Sequence, residues 1–292
     1  MKDVLHAEAN ETMEMVVRYF HLEKYAPFHR VRLSPDQLRP VAAMLAGADT
    51  AAILQVEERQ RARLRDRAED LVADPQVCAG VRDLPFVAGD VIVALGDSIT
   101  DDRLSWAELL AELLHLVRPA DRVRMVNLGV TGNTTGELIS RIDTVIAERP
   151  TWVIQLIGTN DARWHGESHP VRTTSLQETI RNVRGIQGLL RANTDAKVIT
   201  MVPPPIVEAD TRLWKPFRAQ QIFWSQESLQ EIAHELGTWN GVVDLNRVFR
   251  SADLRETLQA DGVHPTEAGQ ELILRTLLSA LSSPSVGVDW SM

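Results

Sequence analysis

A single cysteine, Cys78, in 292 residues excludes an internal disulfide and fits a reducing compartment. No apolar run approaches the roughly 20 residues that cross a bilayer, so no membrane span is expected. The opening MKDVLHAEANETMEMVV interleaves acids and amides with its apolar residues, and so lacks the unbroken apolar stretch of a signal peptide. Together these absences predict a cytoplasmic protein. Positive charge is also in deficit. A formal net charge of −9 excludes a general affinity for nucleic acid, whose phosphates demand a basic surface. The one basic stretch, Arg59, Arg61, Arg63, Arg65 and Arg67, steps by two, which on a helix turns about 200° and scatters the side chains. Glu57, Glu58, Asp66, Glu69 and Asp70 sit among them, so it reads as a solvated helix face with pairs such as Glu57 with Arg61. Internal repeats and low-complexity tracts are absent.

Apolar residues make up 44% of the chain, enough to bury a full core. From about Asp90, short apolar runs alternate with stretches of helical period. The runs Val91 to Leu95, Val123 to Leu128, Trp152 to Ile157, Lys197 to Val202 and Val242 to Leu245 show little polar alternation, the pattern of parallel strands buried on both faces. Ser105 with Glu108, Thr134 with Glu137 and Ser175 with Glu178 have capping-box spacing ahead of apolar stripes; one stripe is Leu138, Ile139, Ile142, Val145 and Ile146. The expected fold is α/β, a three-layer α/β/α domain on a five-stranded parallel sheet, with its site beyond the carboxyl ends of the strands.

Residues 1–85 read as a helical N-terminal extension, and residues 86–292 as the domain that carries the sheet. Ser34, Pro35 and Gln37 open a helix with Leu38, Val41, Ala42 and Leu45 on one face, and Asp49 caps a second running to about Val72. Asp83 to Gly89 is the expected hinge. No candidate site residue precedes Val91, so the extension is expected to serve packing, assembly or access. Covering of the parent domain is favoured over homo-oligomer formation through these helices.

Four blocks carry chemistry. Ser98, in Gly96 to Thr100, stands at the carboxyl end of the first strand. NLGVTGNTTG, Asn127 to Gly136, follows the second; its small residues leave peptide N–H groups open to an anion. Its Gly129, Gly132 and Gly136 do not make the GxGxxG of a dinucleotide site. Asn160, in Gly158 to Asp161, offers a neutral amide donor after the third strand. In DGVHPTEAG, Asp261 to Gly269, Pro265 suits the first turn of a helix and puts His264 at its mouth, with Asp261 one tight turn earlier. Each block alone also reads as ordinary turn chemistry, and Asp3 with His6 repeats the Asp-x-x-His spacing. Glu112 with His115 and Glu231 with His234 read as helix surface or packing. Only the joint arrangement of nucleophile, donors and oriented base points to acyl transfer.

With GDSIT at Ser98, VTGNTT at Gly132, GTND at Asn160 and DGVHP at Asp261 and His264, the chain resembles the SGNH hydrolases, also called the GDSL esterase and lipase family, over about Val91 to Leu281. The resemblance implies a flavodoxin-like sheet with Ser98 as nucleophile, His264 as base and Asp261 as its orienter. It also implies an oxyanion hole from the N–H groups of Ser98 and Gly132 and the Asn160 side chain. The expected activity is hydrolysis of small-molecule carboxylic esters or thioesters through an acyl-enzyme, with no cofactor and no metal. Carbohydrate O-acetylesterase and lysophospholipase are the alternatives within the family. A binding module without turnover would have lost Ser98, His264 or Asn160. His165 and His169 have the spacing of two metal ligands on a helix, but Gly166 and Pro170 oppose a helix there. In the stretches Ala162 to Thr174 and Pro203 to Gln221, Trp164, Trp214 and Phe217 are candidates either to line an acyl pocket or to pack on the scaffold.

Overall fold

A computed structural model describes residues 12–282; the Asp3–His6 pair lies outside them. Residues 12–19 are helical (α1), followed by α2 (Ala26–Arg30), α3 (Pro35–Ala46), α4 (Thr50–Val72) and α5 (Pro75–Arg82). The sheet region opens with β1 (Val91–Gly96), α6 (Ser98–Asp101), α7 (Trp106–Val117), β2 (Arg124–Gly129), α8 (Thr135–Ser140), α9 (Ile142–Ala147) and β3 (Trp152–Leu156). It continues through β4 (Arg163–His165), β5 (Val171–Arg172), α10 (Leu176–Asn193), β6 (Lys197–Val202), α11 (Glu208–Leu213), α12 (Lys215–Ala219) and β7 (Ile222–Trp224). It closes with α13 (Gln226–Gly237), β8 (Val242–Asp244), α14 (Leu245–Arg250), α15 (Leu254–Thr257) and α16 (Glu267–Ser282). Among the described residues, no helix is long and apolar enough to cross a membrane.

The five expected strands form one parallel sheet in the order β2-β1-β3-β6-β8. This is a flavodoxin-like order, and its direction reverses at β1, where such sheets place their ligands. Successive residues of β1 enter opposite cores, Ile92 and Ala94 on one face, Val93 and Leu95 on the other. Helices α5, α7 and α16 bury the first face; α8, α9, α10 and α13 bury the second. The Thr134 and Ser175 capping boxes form, whereas Ser105 caps alone because the Glu108 carboxylate turns to Asn127.

Several local expectations are corrected. The stripe from Leu138 to Ile146 is split between α8 and α9, because Arg141 leaves helical geometry (φ −123°, ψ 19°) and its guanidinium turns inward to Asn133 and Gly96. A second, antiparallel sheet, β5-β4-β7, forms where no strand was expected, with β4 and β5 inside the stretch Ala162 to Thr174 and β7 just after Gln221. Its strands of two or three residues are too short to show a period. Helix α3 buries Leu38, Ala43 and Ala46 and leaves Met44 and Leu45 exposed, so its alanine edge, not the Leu45 edge, faces the cluster with Ile53 and Val56. Glu57 pairs with Arg39, and Arg63 and Arg67 reach Glu267 and Glu271 on α16.

Helix α4 joins two cores. Its first half, Ile53 and Val56, packs with Val16, Val17, Ala43 and Ala46; its second half, Leu64, Ala68 and Leu71, enters the same cluster as β1 and α7. The expected hinge is a packed strap. Leu84 and Phe86 are buried, Phe86 sets its edge against Trp152 (5.2 Å, 73°), and Arg118 donates to the carbonyls of Val81, Leu84 and Phe86. Phe86→Ala should therefore cost about 3–5 kcal/mol, as for a buried aromatic. In urea the wild type and the variant should each unfold in one transition. A separate early transition for residues 12–85 would mean that the strap is a true domain boundary.

Candidate active site

The site grows from a close approach. The first turn after β1, α6, lies so near the end of β2 that a Cβ on Gly129 would stand 2.5 Å from the Asp101 nitrogen. Asn127 locks the same junction, donating to the Thr100 carbonyl (2.7 Å) and to Glu108 (2.9 Å) while accepting from the Gly129 N–H (2.9 Å). From α16, the buried Gln270 donates to the Ile99 carbonyl and accepts from the Trp106 N–H, both at 3.0 Å. Ser98 is the first residue of α6, so its N–H has no acceptor within the helix. Asp97 caps the turn through Ile99 N–H, and burial raises its carboxyl to about 7.

After β2, Gly132 takes a positive φ of 84°, which a side chain would strain. After β3, the Asn160 amide donates to the Asn133 carbonyl (3.1 Å), joining the third block to the second. Asp161 accepts from the Thr135 N–H (3.0 Å), the Thr135 hydroxyl (2.6 Å) and the Thr179 hydroxyl (3.1 Å), which ties α8 and α10 to the same turn.

The fourth block lies after α14 and α15 rather than directly after the last strand. Pro265 bridges to Leu258 and stands outside the helix, which begins at Glu267 with the Thr266 hydroxyl accepting from Gly269 N–H. Asp261 Oδ1 accepts from the N–H groups of Val263 (2.9 Å) and His264 (3.0 Å), leaving Oδ2 at 2.5 Å from His264 Nδ1. His264 Nε2 lies 2.9 Å from Ser98 Oγ, across 166 residues of sequence. Burial alone would lower the imidazole pKa; the Asp261 charge and hydrogen bond outweigh it and hold His264 above its ordinary value. In return, Asp261 stays below the usual carboxylate range although it is buried.

Other sequence candidates stand apart. His165 ends β4, and Gly166, at φ 86°, turns the chain toward His169, so the two histidines do not share a helix. Trp164 stacks on Phe223 (6.4 Å, 11°) and donates to Ser228, while Phe217 packs on Trp224 at 4.7 Å. These two aromatics serve the scaffold. Trp214 is half-buried between α11 and α12.

The sequence reading missed the residues from the extension. Tyr19 packs against the His264 ring, with centroids 4.9 Å apart. Arg18 holds Asp102 with two bonds of 2.7 and 2.6 Å, and His21 and Lys24 reach Asp101 Oδ1 at 2.6 and 2.7 Å. Burial opposes ionisation of Asp101, but Lys24 and His21 hold it well below the ordinary carboxylate range. A signal existed in the two adjacent acids, Asp101 and Asp102, between the apolar run of β1 and the apolar stripe of α7, since carboxylates buried there need cations.

Comparison with known proteins gives a family and a likeness of fold. The sequence model of the GDSL-like Lipase/Acylhydrolase family matches residues 94–272. An acetylxylan esterase of Geobacillus stearothermophilus is 27% identical over 226 residues, covering 70% of this chain and 96% of that protein. Among solved structures, a putative GDSL-like lipase from Parabacteroides merdae has a TM-score of 0.52 at 22% identity, covering 68% of this chain and 98% of its own. An alpha/beta hydrolase enzyme from the metagenome of Lake Arreo, Spain, has 0.50 at 24%, with coverages of 67% and 96%. These two establish likeness of fold.

The His264–Asp261 pair gives a direct test by NMR titration of the imidazole. The wild-type ring should titrate above 6.5. In Asp261→Asn the burial penalty remains and the charge is gone, so the midpoint should fall. An unchanged midpoint would mean that another group holds the proton.

Proposed function

We infer that this chain, which belongs to the GDSL-like Lipase/Acylhydrolase family, hydrolyses esters through an acyl-enzyme on Ser98. The observation that carries this reading is the unbroken line from Asp261 Oδ2 to His264 Nδ1 (2.5 Å) and from His264 Nε2 to Ser98 Oγ (2.9 Å). It has the reach of a nucleophile, its base and the base's orienter.

Ser98 Oγ attacks the ester carbonyl carbon while its proton passes to His264 Nε2. Asp261, with Oδ1 engaged by two peptide N–H groups, keeps the Nδ1 proton and stabilises the imidazolium. The carbonyl oxygen gathers negative charge, which we assign to the N–H groups of Ser98 and Gly132 and to the second hydrogen of the Asn160 amide, the first being held by Asn133. Collapse breaks the bond to the alcohol, which leaves with the proton from His264. Water then repeats the sequence on the acyl-enzyme and frees the acid and Ser98.

For the substrate, we propose a short acyl group, with acetylated carbohydrate as its bearer. The 27% identical relative, 96% of which is covered, is an acetylxylan esterase. Trp164 packs on Phe223 and Phe217 on Trp224, contacts that favour a scaffold role for both over the walls of a long acyl tunnel.

Ser98→Ala should lower turnover by about 10³ to 10⁶ without unfolding the chain, and a fluorophosphonate should label the wild type alone. Asn160→Ala should cost about 10² to 10³ in kcat with little change in KM, because its donor acts on charge that develops late. Persistent labelling of Ser98→Ala would sink the assignment. Across p-nitrophenyl esters of increasing chain length, kcat/KM should peak at acetate, and acetylated xylo-oligosaccharides should release acetate. A peak at long acyl chains would point instead to the lipase side of the family.

A further inference from the structure

The ring nitrogens of His264 are both engaged in the plane of the imidazole, Nδ1 by Asp261 and Nε2 by Ser98. Such bonds fix where the ring points but resist rocking out of plane poorly, and the histidine χ2 torsion is intrinsically broad. A second surface against the ring face is needed to hold it. The extension supplies one. The Tyr19 ring, 8% exposed, packs on the imidazole with a 4.9 Å centroid distance and a 42° tilt.

We propose that Tyr19 is a positioning residue for His264, and that residues 18–24 are a built-in strap holding the candidate catalytic groups in register. This rests on the Ser98–His264–Asp261 reading given above. Gln259 fixes the tyrosine to the histidine's own backbone. Its side-chain amide donates to Tyr19 Oη (2.7 Å) and to the Pro265 carbonyl (2.9 Å), while its peptide N–H donates to the His264 carbonyl (2.8 Å). Both amide hydrogens are thereby spent, so the Tyr19 hydroxyl is tied to the segment that bears the imidazole.

The strap is anchored on either side of that contact. Toward the nucleophile, Arg18 grips Asp102, its carbonyl accepts from the Arg103 N–H (3.1 Å), and His21 and Lys24 converge on Asp101. Toward the second block, the Tyr19 carbonyl accepts from the Thr131 hydroxyl at 2.5 Å, one residue before Gly132. Asp101 Oδ2 accepts from the Thr131 N–H at 3.0 Å, which closes the loop. Asp101 and Asp102 are fully buried, so the cations of the strap cannot leave without stranding two carboxylates. Tyr19 is therefore held against His264 by strong contacts that do not themselves involve His264.

Full-length Tyr19→Leu, Tyr19→Phe and Ser98→Ala, assayed on p-nitrophenyl acetate, test this. Tyr19→Leu keeps apolar volume but removes the flat face, so kcat should fall roughly 10- to 100-fold with KM within about threefold, the pattern of a misplaced catalytic group. Tyr19→Phe, which keeps the face, should restore kcat to within about threefold of wild type, and the rate of fluorophosphonate labelling should follow kcat in both. The inference is overturned if folded Tyr19→Leu turns over within about twofold of wild type, or if only KM changes. It also falls if Phe fails as badly as Leu, or if Tyr19→Leu does not fold, which would make Tyr19 a structural residue. Retained turnover in Ser98→Ala would instead remove the underlying catalytic reading. An inactive Ser98→Ala beside a fully active Tyr19→Leu would remove the strap's role alone.

Discussion

The close seating of the four-residue turn from Ser98 to Asp101 on the ends of β1 and β2 is the constraint from which the rest follows. Gly129 permits it, since any side chain there would collide with the backbone of Thr100 and Asp101. The seating puts Ser98 at the point where strand order reverses, where a parallel sheet opens a crevice. It also drives Asp101 and Asp102 into the interior. Burying a carboxylate is costly unless it is paired and hydrogen-bonded. The cations that meet them, Arg18 and Lys24, and the His21 imidazole 2.6 Å from Asp101 all come from the helical extension. The geometry that sets Ser98 at the carboxyl edge of the sheet therefore also calls for the segment that packs over the following turn.

This alters the meaning of the helical region. The expected division near residue 85 separates a region without candidate catalytic residues from one that holds them all. Physically the two interleave. Helix α4 contributes Leu64, Ala68 and Leu71 to the core that covers the sheet, Phe86 packs on Trp152, and Arg63 and Arg67 pair with acids on α16. We propose that the unit of folding is the whole described chain.

How much was legible in the sequence depended on the range of the interaction. The five strands of the main sheet were readable because each is rich in apolar residues with little polar alternation, although only β1 and β3 are buried along nearly their whole length. The four blocks were readable because each follows a strand or turn with its own local chemistry. Asp261 and His264 are three positions apart and so could be read directly. Strands β4, β5 and β7 were not readable, because two or three residues carry no period. The break at Arg141 was hidden because the apolar stripe runs through it; what bends the chain is a guanidinium reaching Asn133. Least visible was the strap. Arg18 and Asp102 are 84 residues apart, and Tyr19 and Gln259 are 240 apart, so only the pair of acids after Ser98 hinted that distant cations were required.

The bond between Tyr19 and Gln259 has a consequence for synthesis. Tyr19 leaves the ribosome long before Gln259 and His264, the residues it packs with. Arg63 and Arg67 must likewise await α16. Both tyrosines of the chain, Tyr19 and Tyr25, lie in this early segment. Contacts spanning most of the sequence form late and slowly, because the intervening loop must close first. On the ribosome, α1, α3 and α4 can gather around Val16, Val17, Ala43, Ala46, Ile53 and Val56, while Leu64, Ala68 and Leu71 stay uncovered until the sheet and α16 arrive. The nascent chain thus carries an exposed apolar stripe throughout synthesis of the residues between α4 and α16, the state on which chaperones act.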